Sequence, residues 1–478
     1  MNRPFDSAKY KALLEGLEIS EVTFGTVLDD RVFRFEAEFY ISQSMMPVAS
    51  VSGEGIIDTV QYGTSDELND DDRGFPVLRL NEFDNYFSGI PSRYCDKLSN
   101  EEFASLRLRP GDVLVCRTNG NPELVGRAAV VMEETPYAYA SYLYKIRPKI
   151  EVILPEVLVL FLRSKHGRTQ IEKYSMRSNQ TNFSPAKFRE IEIPKFGSAL
   201  QLALQANVQK SYICLKQSHV LYAEAEQFLL RELSFENWQP PSKTVSRKNF
   251  SDFLATGRLD AEYYQPKYDA LATRLNKMYT VRLGDIAGIN KSIEPGSEEY
   301  QNEGVPFLRV ADLSAEGITP TEIFLDPKNY ADALRPMKDT ILFSKDGSVG
   351  IAYKVEQDME AITSSAILHL NVITKDINPD YLTLVLNSII VQMQAERDAG
   401  GSIIQHWKPS EISAVIIPVL PAAIQSRIAE KIRESFTLRA QSQQLLALAQ
   451  RAVETAIELG EAEGLEMLDK KIERNEML

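Results

Sequence analysis

The stretch Val208-Gln-Lys-Ser-Tyr-Ile-Cys-Leu-Lys-Gln-Ser-His-Val-Leu-Tyr-Ala-Glu-Ala-Glu-Gln-Phe-Leu229 decides the fold. Val208, Leu215, Tyr222 and Leu229 stand seven positions apart, with Ser211, Ser218 and Ala225 on a second line beside them. An apolar line at heptad spacing is a helix seam that needs a partner helix, and small residues beside it let that partner come close. The periodicity predicts a helix over 199–233. Its partner lies in the same chain: Ile432, Arg439, Leu446 and Val453 repeat the first line, and Ser435, Ser442 and Ala449 the second, each 224 positions on. A second helix is predicted from Pro421 to Leu459, with proline at the start, where a missing N–H costs nothing. The chain is a tandem duplication.

Further echoes fix the repeat. Arg34-Phe-Glu-Ala-Glu-Phe-Tyr40 returns as Arg258-Leu-Asp-Ala-Glu-Tyr-Tyr264, and Pro155, Phe183, Pro185 and Ile193-Pro194 return as Pro379, Trp407, Pro409 and Ile417-Pro418, all at 224. The aromatic segments at 34–40 and 258–264 read best as docking segments beneath each domain. Gly74-Phe-Pro-Val-Leu-Arg79 returns as Gly304-Val-Pro-Phe-Leu-Arg309 at 230, Leu108-Arg-Pro-Gly-Asp112 as Leu334-Arg-Pro-Met-Lys-Asp339, and Gly120 answers Gly347. The ends of the repeats are in register while the middles drift, as expected of one scaffold carrying independently altered loops. Strands are expected at 77–80 and 113–116, a helix at 154–163 opening on Pro155, and a short helix over 6–17. The resulting boundaries are 1–198 for a first domain with an N-terminal helix and 199–236 for the first spacer helix. A linker at 237–257 with Pro240-Pro241 follows, then 258–418 for a second domain, 419–460 for the second spacer helix, and 461–478 for an acidic tail expected to fray.

With 478 residues and 44% hydrophobic content the chain can bury real cores, at about three domains by length. Three cysteines, Cys95, Cys116 and Cys214, are too few and too scattered for a disulfide framework or a zinc site. No apolar signal region stands at the N-terminus, and the apolar run near Tyr381–Met393 is broken by Asn387-Ser388. A cytoplasmic protein is expected. The net charge of −14 argues against a simple polyanion binder, but between Ser141 and Lys195 eleven Lys/Arg face five Asp/Glu. A local excess of that kind attracts phosphate or forms a solvated face.

Thirty-five helical residues make a rod of about 50 Å, longer than the roughly 34 Å of one B-DNA turn. Two such rods packed antiparallel would hold two globular parts apart as a ruler, with a pseudo-twofold relation between them. Catalytic chemistry is not in evidence. There is no phosphate loop. Asn378-Pro-Asp-Tyr381 differs from the Asn-Pro-Pro-Tyr of amino-methyltransferases at its third position, and Asn378 reads as a helix N-cap. His166, His219, His369 and His406 lack a metal-ligand spacing, so no metal is expected.

The ordered set resembles the specificity subunit of type I restriction–modification systems, over nearly the whole chain and in both halves. It comprises the tandem plan, the Gly-x-Pro-x-Leu-Arg strand, the Leu-Arg-Pro turn, the Pro-[Glu/Asp]-x-Leu helix, and Ile-Pro before a long helix. The resemblance implies an α/β (mixed α+β) fold with two tandem target recognition domains, joined by two long antiparallel coiled-coil helices. It implies a non-catalytic subunit that reads a bipartite, asymmetric target in double-stranded DNA. It also implies recruitment of two methyltransferase subunits, which use S-adenosylmethionine to methylate adenine, and of restriction subunits that use ATP and Mg. The chain itself would hold no cofactor. The segments at 34–40 and 258–264 are also similar to specificity subunits of type II-like systems, which leaves the system open.

Base reading needs polar side chains on loops that reach a groove. The candidates are Arg117, Thr118, Asn119, Arg177, Asn179, Gln180 and Asn182 in the first half, and Ser344, Lys345, Gln405, His406 and Lys408 in the second. Lys145, Arg163, Lys165 and Arg168 are the phosphate candidates, which position without specifying. Arg79 and Arg309 recur in both halves and read as scaffold or a shared phosphate contact, and Phe183 and Trp407 as packing residues. Two rivals stay open. An enzyme with an unseen motif would bind S-adenosylmethionine as the purified chain, and a protein-only adaptor would show no salt-sensitive, sequence-specific DNA binding.

Overall fold

A computed structural model describes residues 24–25, 47–175, 181–243, 245–399 and 405–475. The expected helix at 6–17 and the segment at 34–40 lie outside the described residues. The chain forms two compact units, 1–215 with 440–478 and 216–439. The fold is mixed α/β in both.

In the first unit, Val113–Cys116 runs through the middle of a six-stranded sheet, flanked by Leu143–Pro148 and Ala128–Val130, with Ile57–Tyr62 beyond. A second sheet pairs Phe75–Leu78 with Ala138–Tyr139 in parallel and with Tyr94–Cys95 antiparallel. The expected strand at 77–80 therefore lies at 75–78. Helices α1 (Pro155–Arg163) and α2 (Lys165–Tyr174) follow, divided by Ser164, whose hydroxyl donates to the Phe161 carbonyl and accepts from the Gly167 N–H. Ser50–Ser52 pairs antiparallel with Glu192–Pro194, which places the Ile-Pro motif in the closing strand. Buried Val157 to Leu162 join this sheet's core.

The second unit repeats the plan. Ile341–Ser344 lies between Ile367–Val372 and Ala352–Lys354, with Ala287–Lys291 beyond. Val305–Leu308 pairs with Ile362–Thr363 and Phe324–Leu325, and Thr280–Arg282 closes on Ile416–Pro418. The repeated glycine before each Gly-x-Pro strand has a backbone reason. Gly74 and Gly304 have φ of 86° and 130°, and a Cβ would lie 2.0 Å from the Cys95 carbonyl oxygen and 2.3 Å from that of Leu325. Helix α4 is Pro379–Asn387, and Asn378 caps it by accepting from the Asp380 and Tyr381 N–H groups, as the N-cap reading requires. Helix α5 (Ile389–Asp398) receives the segment at 258–264: Arg258 donates to the Asp398 carbonyl and stacks over Tyr263, with Asp260 held at its guanidinium. That is the docking role read from the repeat.

The long helices are α3 (Ser198–Glu232) and α6 (Ala422–Glu458). Each contributes to both units, α3 with its first part in the first unit and α6 with its last part there. Within the first unit they run antiparallel, with Ser211 opposite Ser442 and the Gly197 N–H bonded to Glu461 just past α6. Within the second, Ser218 faces Ser435 and Glu224 faces Lys431, again antiparallel. The serines on the second heptad line are buried and bonded hydroxyl to hydroxyl at 2.8 and 3.0 Å, and in each pair one hydroxyl also donates to the partner's carbonyl. Small residues thus bring the two backbones within reach of one short side chain. On the first line, Val208 and Leu215 join Leu446 and Val453 in the core of unit one, each buried side chain contributing about 1.5–3 kcal/mol. The acidic stretch past Gly460, expected to fray, is instead a helix, α7 (Glu461–Asn475), because Leu465 and Leu468 pack on the end of α6 and Gly464 lies against Ala452 and Ala456.

Candidate nucleic-acid interface

In both units the central buried strand runs out of the sheet into a polar loop, and a second polar loop comes back to meet it. In the first unit, Val113–Cys116 leads into Arg117, Thr118 and Asn119. Thr118–Asn119 pairs antiparallel with Thr181–Asn182, and the Phe183 N–H donates to the Arg117 carbonyl at 2.7 Å. The Arg117 N–H is itself held by the Tyr142 carbonyl at 2.8 Å. Four candidates separated by some sixty residues of sequence, Arg117, Thr118, Asn119 and Asn182, therefore share one short ribbon. Arg177, Asn179 and Gln180 lie outside the described residues.

The second unit builds the same ribbon. The Trp407 N–H donates to the Lys345 carbonyl at 2.8 Å, the Lys345 N–H to Ala366 at 2.8 Å, and the Gly347 N–H to Gln405 at 2.9 Å, with Asp346 bridged to His406. Trp407 stands where Phe183 does, so Lys345 matches Arg117, Asp346 matches Thr118 and Gly347 matches Asn119. Pairing Gly120 with Gly347 is thus one residue out: Gly347, at φ 73°, occupies the place of Asn119, not of Gly120. Both aromatics are fully buried, Phe183 edge-on to Phe188 at 6.3 Å and Trp407 tilted on Phe343 at 5.7 Å, which makes them anchors of the ribbon.

Side chains on the ribbon differ in availability. Arg117 lies over the Tyr62 ring at 5.2 Å, and its Nε and the Asn182 Oδ1 are buried with no hydrogen-bond partner among the described residues. The Asn119 Oδ1 accepts from the Asn121 N–H and so orders the loop. Ser344 is turned inside: its hydroxyl donates to the Ser348 carbonyl at 2.6 Å and accepts from the Ile351 N–H at 2.8 Å, so this candidate shapes the loop and faces no groove. Lys345 is engaged by Asp346. Gln405, His406 and Lys408 are exposed, Lys408 beside Glu411 at 3.7 Å. Asp346 was missed in the sequence, where only Arg, Lys, Asn, Gln, Ser and Thr were counted as base readers. It accepts from His406 Nδ1 at 2.9 Å.

The phosphate candidates face the scaffold. Lys145 is buried on its strand, near the Ser105 and Arg107 carbonyls and 3.9 Å from Asp112, and burial pushes its ammonium down. Arg163 is sealed over Tyr86 at 4.1 Å and bonded to the Asn85 carbonyl, and burial pushes its guanidinium down to about 10. Arg168 donates to the Val125 carbonyl at 2.6 Å. Lys165 pairs with Glu458, and its N–H donates to Glu454. The positive excess in 141–195 is therefore largely answered inside its own unit. Sequence counts the charges but not the carbonyls and carboxylates that the fold aims at them. Arg79 is scaffold, its guanidinium held by Glu82 and Ser92. Arg309 shares the backbone part of that arrangement, its N–H held by Asp312.

Among the described residues no group of three or more His, Cys, Asp or Glu is placed to hold a metal ion, and no helix is long and apolar enough to cross a membrane.

Residues 276–446 match the family model of the type I restriction modification DNA specificity domain. No curated protein matches the chain in sequence. Among solved structures, the type I restriction-modification S subunit from M. genitalium is similar at 13% identity over 88% of this chain and 95% of its own, with a TM-score of 0.35. The HsdS subunit from Thermoanaerobacter tengcongensis is similar at 17% identity over 86% and 97%, with a TM-score of 0.28. The type IIG restriction endonuclease BpuSI is similar at 10% identity over 42% and 35%, with a TM-score of 0.30. The elements of this matched stretch recur in the first unit.

Proposed function

We propose that each unit reads one half of a bipartite, asymmetric site in double-stranded DNA, and that the chain performs no chemistry of its own. One observation carries this reading. The same backbone ribbon, on the same buried strand and anchored by the same aromatic position, presents different polar side chains in the two units: Arg117, Thr118 and Asn182 against Lys345, Asp346 and His406. A constant frame with variable polar ends is what two unrelated half-words require, since bases are told apart by the donors and acceptors set against their edges. Arg177, Asn179 and Gln180, which precede Thr181 in sequence, stay candidates for base contacts. In this reading α3 and α6 set the unspecified spacer. Two methyltransferase subunits supply S-adenosylmethionine-dependent adenine methylation, and restriction subunits supply ATP- and Mg-dependent cleavage, in a prokaryotic cytoplasm.

The test is the methylation motif of cells carrying the assembled system. Replacing Thr118 by Val and Asn182 by Ala is expected to alter or relax the motif in one half only, each lost base contact costing about 1–3 kcal/mol. An unchanged motif, methylated to the same extent, would overturn the assignment.

A further inference from the structure

We propose that Arg127 and Arg168, with Arg163 behind them, form a site for one phosphate of the DNA backbone, present in the first unit alone; this rests on the DNA-reading role proposed above. The backbone sets the site beside the ribbon. The Cys116 N–H donates to the Arg127 carbonyl at 2.9 Å, so Arg127 stands across from the last residue before Arg117. The Gly126 N–H returns to the Cys116 carbonyl at 2.8 Å. Arg168, on α2, donates through Nη1 to the Val125 carbonyl at 2.6 Å and so reaches the turn that carries Arg127. Arg163 is the last residue of α1. Burial first, then the charges of Arg127 and Arg168, push its guanidinium down to about 10, against the pull of Tyr86. All three stay cationic near neutrality. No carboxylate answers them closely. Burial pushes the Arg127 guanidinium down and only the Cys116 thiol opposes it, while Arg168 has Glu172 at 3.9 Å, 56% exposed. The Arg127 Nε and the Arg168 Nη2 are buried with no hydrogen-bond partner among the described residues. Buried donors without acceptors and clustered like charges both oppose folding, and a single anion offsets both.

The second unit shows that the frame does not require these cations. There the Ser344 N–H donates to the Ile351 carbonyl and the Gly350 N–H to the Ser344 carbonyl, so Ile351 stands where Arg127 does. On the helices, Asn387 of α4 stands for Arg163 and Gln392 of α5 for Arg168. All three are neutral and closed by the protein itself. Asn387 accepts from the Ala352 N–H and donates to its carbonyl, and Gln392 donates to the Gly350 and Leu386 carbonyls. Three cations added to one copy of a shared frame, two of them with an orphaned N–H, are a device of that copy. Phosphate is the anion at hand. The ribbon next to the site brings a duplex whose backbone carries one charge per roughly 1.7 Å of axis, and guanidinium forks suit its oxygens.

The experiment uses the full chain assembled with its methyltransferase subunits, and duplexes in which single backbone phosphates are replaced by neutral methylphosphonates. The variants Arg127→Ile and Arg168→Gln take the second unit's residues, which the frame accommodates there, and Arg127→Lys keeps the charge. In the parent, one methylphosphonate in the first half-site should weaken binding roughly tenfold. In Arg127→Ile and Arg168→Gln the same replacement should cost nothing further, and the salt slope should be shallower by about 0.9. Arg127→Lys should recover most of that slope. Base preferences should match the parent's, since phosphate contacts position without specifying. The thermal midpoint of Arg127→Ile without DNA should not fall, because a like charge leaves the cluster; a fall there with DNA binding unchanged would make the arginine structural and overturn the inference. Inorganic phosphate, compared with sodium chloride at equal ionic strength, separates the two sources of the anion. A midpoint raised by inorganic phosphate in the parent only, with no methylphosphonate effect that depends on Arg127, would assign a free phosphate and overturn the DNA source. No such dependence at any phosphate of the first half-site, with base preferences intact, would overturn the inference and leave the half-site reading standing. A parent complex whose affinity depends on neither base sequence nor salt would overturn both.

Discussion

Two kinds of contact separate the shared frame from the parts that diverge. Gln201 accepts from the Leu154 N–H and donates to the Val152 and Phe196 carbonyls; 224 positions on, Gln425 accepts from the Asn378 N–H and donates to the Asp376 and Leu420 carbonyls. Gln170 clasps the backbone of Glu192 from both sides, and Gln394 does the same to Ile416. The ribbon shows no such agreement beyond its backbone: Thr118 and Asn182 stand where Asp346 and His406 stand. The difference teaches where substitution is free. A buried amide that completes three backbone groups has no isosteric replacement, whereas a ribbon end in solvent is answerable only to what it touches.

The strongest test of this division is Gln201→Ala beside Gln425→Ala. Each strands one buried N–H and two carbonyls, so each is expected to destabilise its own unit by on the order of 3–5 kcal/mol. Urea unfolding with amide exchange resolved by unit reads it. A large loss in one unit and none in the other would break the equivalence.

A second test exploits a position where the frame itself diverges. Lys145 and His369 occupy the same place, opposite Leu114 and Leu342 on the central strands. His369 is buried with its Nε2 2.8 Å from the Thr363 hydroxyl, and burial pushes its pKa down to about 4 from 6.5. Between those values the unfolded chain binds the proton and the native chain resists it, so stability is full above about pH 6.5 and falls as pH drops toward 4, by about 3 kcal/mol. Burial also lowers the Lys145 pKa, but from 10.5, so its effect falls in the alkaline range, where stability rises with pH. Acid unfolding should therefore begin in the second unit, and His369→Gln should blunt it. Equal acid sensitivity of both units, unchanged by that replacement, would show that His369 does not set the difference.

The frame was legible because it is periodic and internally repeated. The heptad lines placed α3 and α6 to within a residue or two, the paired serines followed from the second line, and Pro155, Asn378 and the Ile-Pro strands lie where their backbone chemistry requires. The interface was legible only as two loops. Their meeting depends on the strand register, which the loop lengths obscured by one residue. Side-chain direction was not legible at all. Lys145, Arg163 and Arg168 read as surface cations, yet each points at carbonyls brought from 40, 78 and 43 residues away. Composition cannot see that geometry.

A smaller effect sharpens the contrast at the ribbon. Exchanging residues 118–119 and 181–182 for Asp-Gly and Gln-His would place the second unit's ribbon ends on the first unit's frame. Since the frame contacts at Arg117 and Phe183 are made by backbone, the unit should still fold, the lost Asn119 Oδ1 bond to the Asn121 N–H affecting the loop alone. The recognised base at the affected position should change with a preference of about 1–3 kcal/mol. Methylome sequencing reads the outcome, and a folded, active complex with its original motif would show that specificity lies off the ribbon.

The smallest expected effect concerns the helices. In the second unit Lys431 reaches across to Glu224, with side chains 35% and 51% exposed. The matching positions in the first unit are Asn207 and Leu448, where Asn207 bonds to the Ala203 carbonyl on its own helix and no charge is present. An exposed pair of this kind contributes roughly 0.2–1 kcal/mol and is screened by salt. Lys431→Ala should thus lower stability slightly at low ionic strength and not at about 1 M salt, where the Debye length is near 3 Å. A loss that persists at high salt would mean the lysine stem acts by packing on the helix surface, and the seam of the second unit would then differ from that of the first in its apolar contacts as well as its charge.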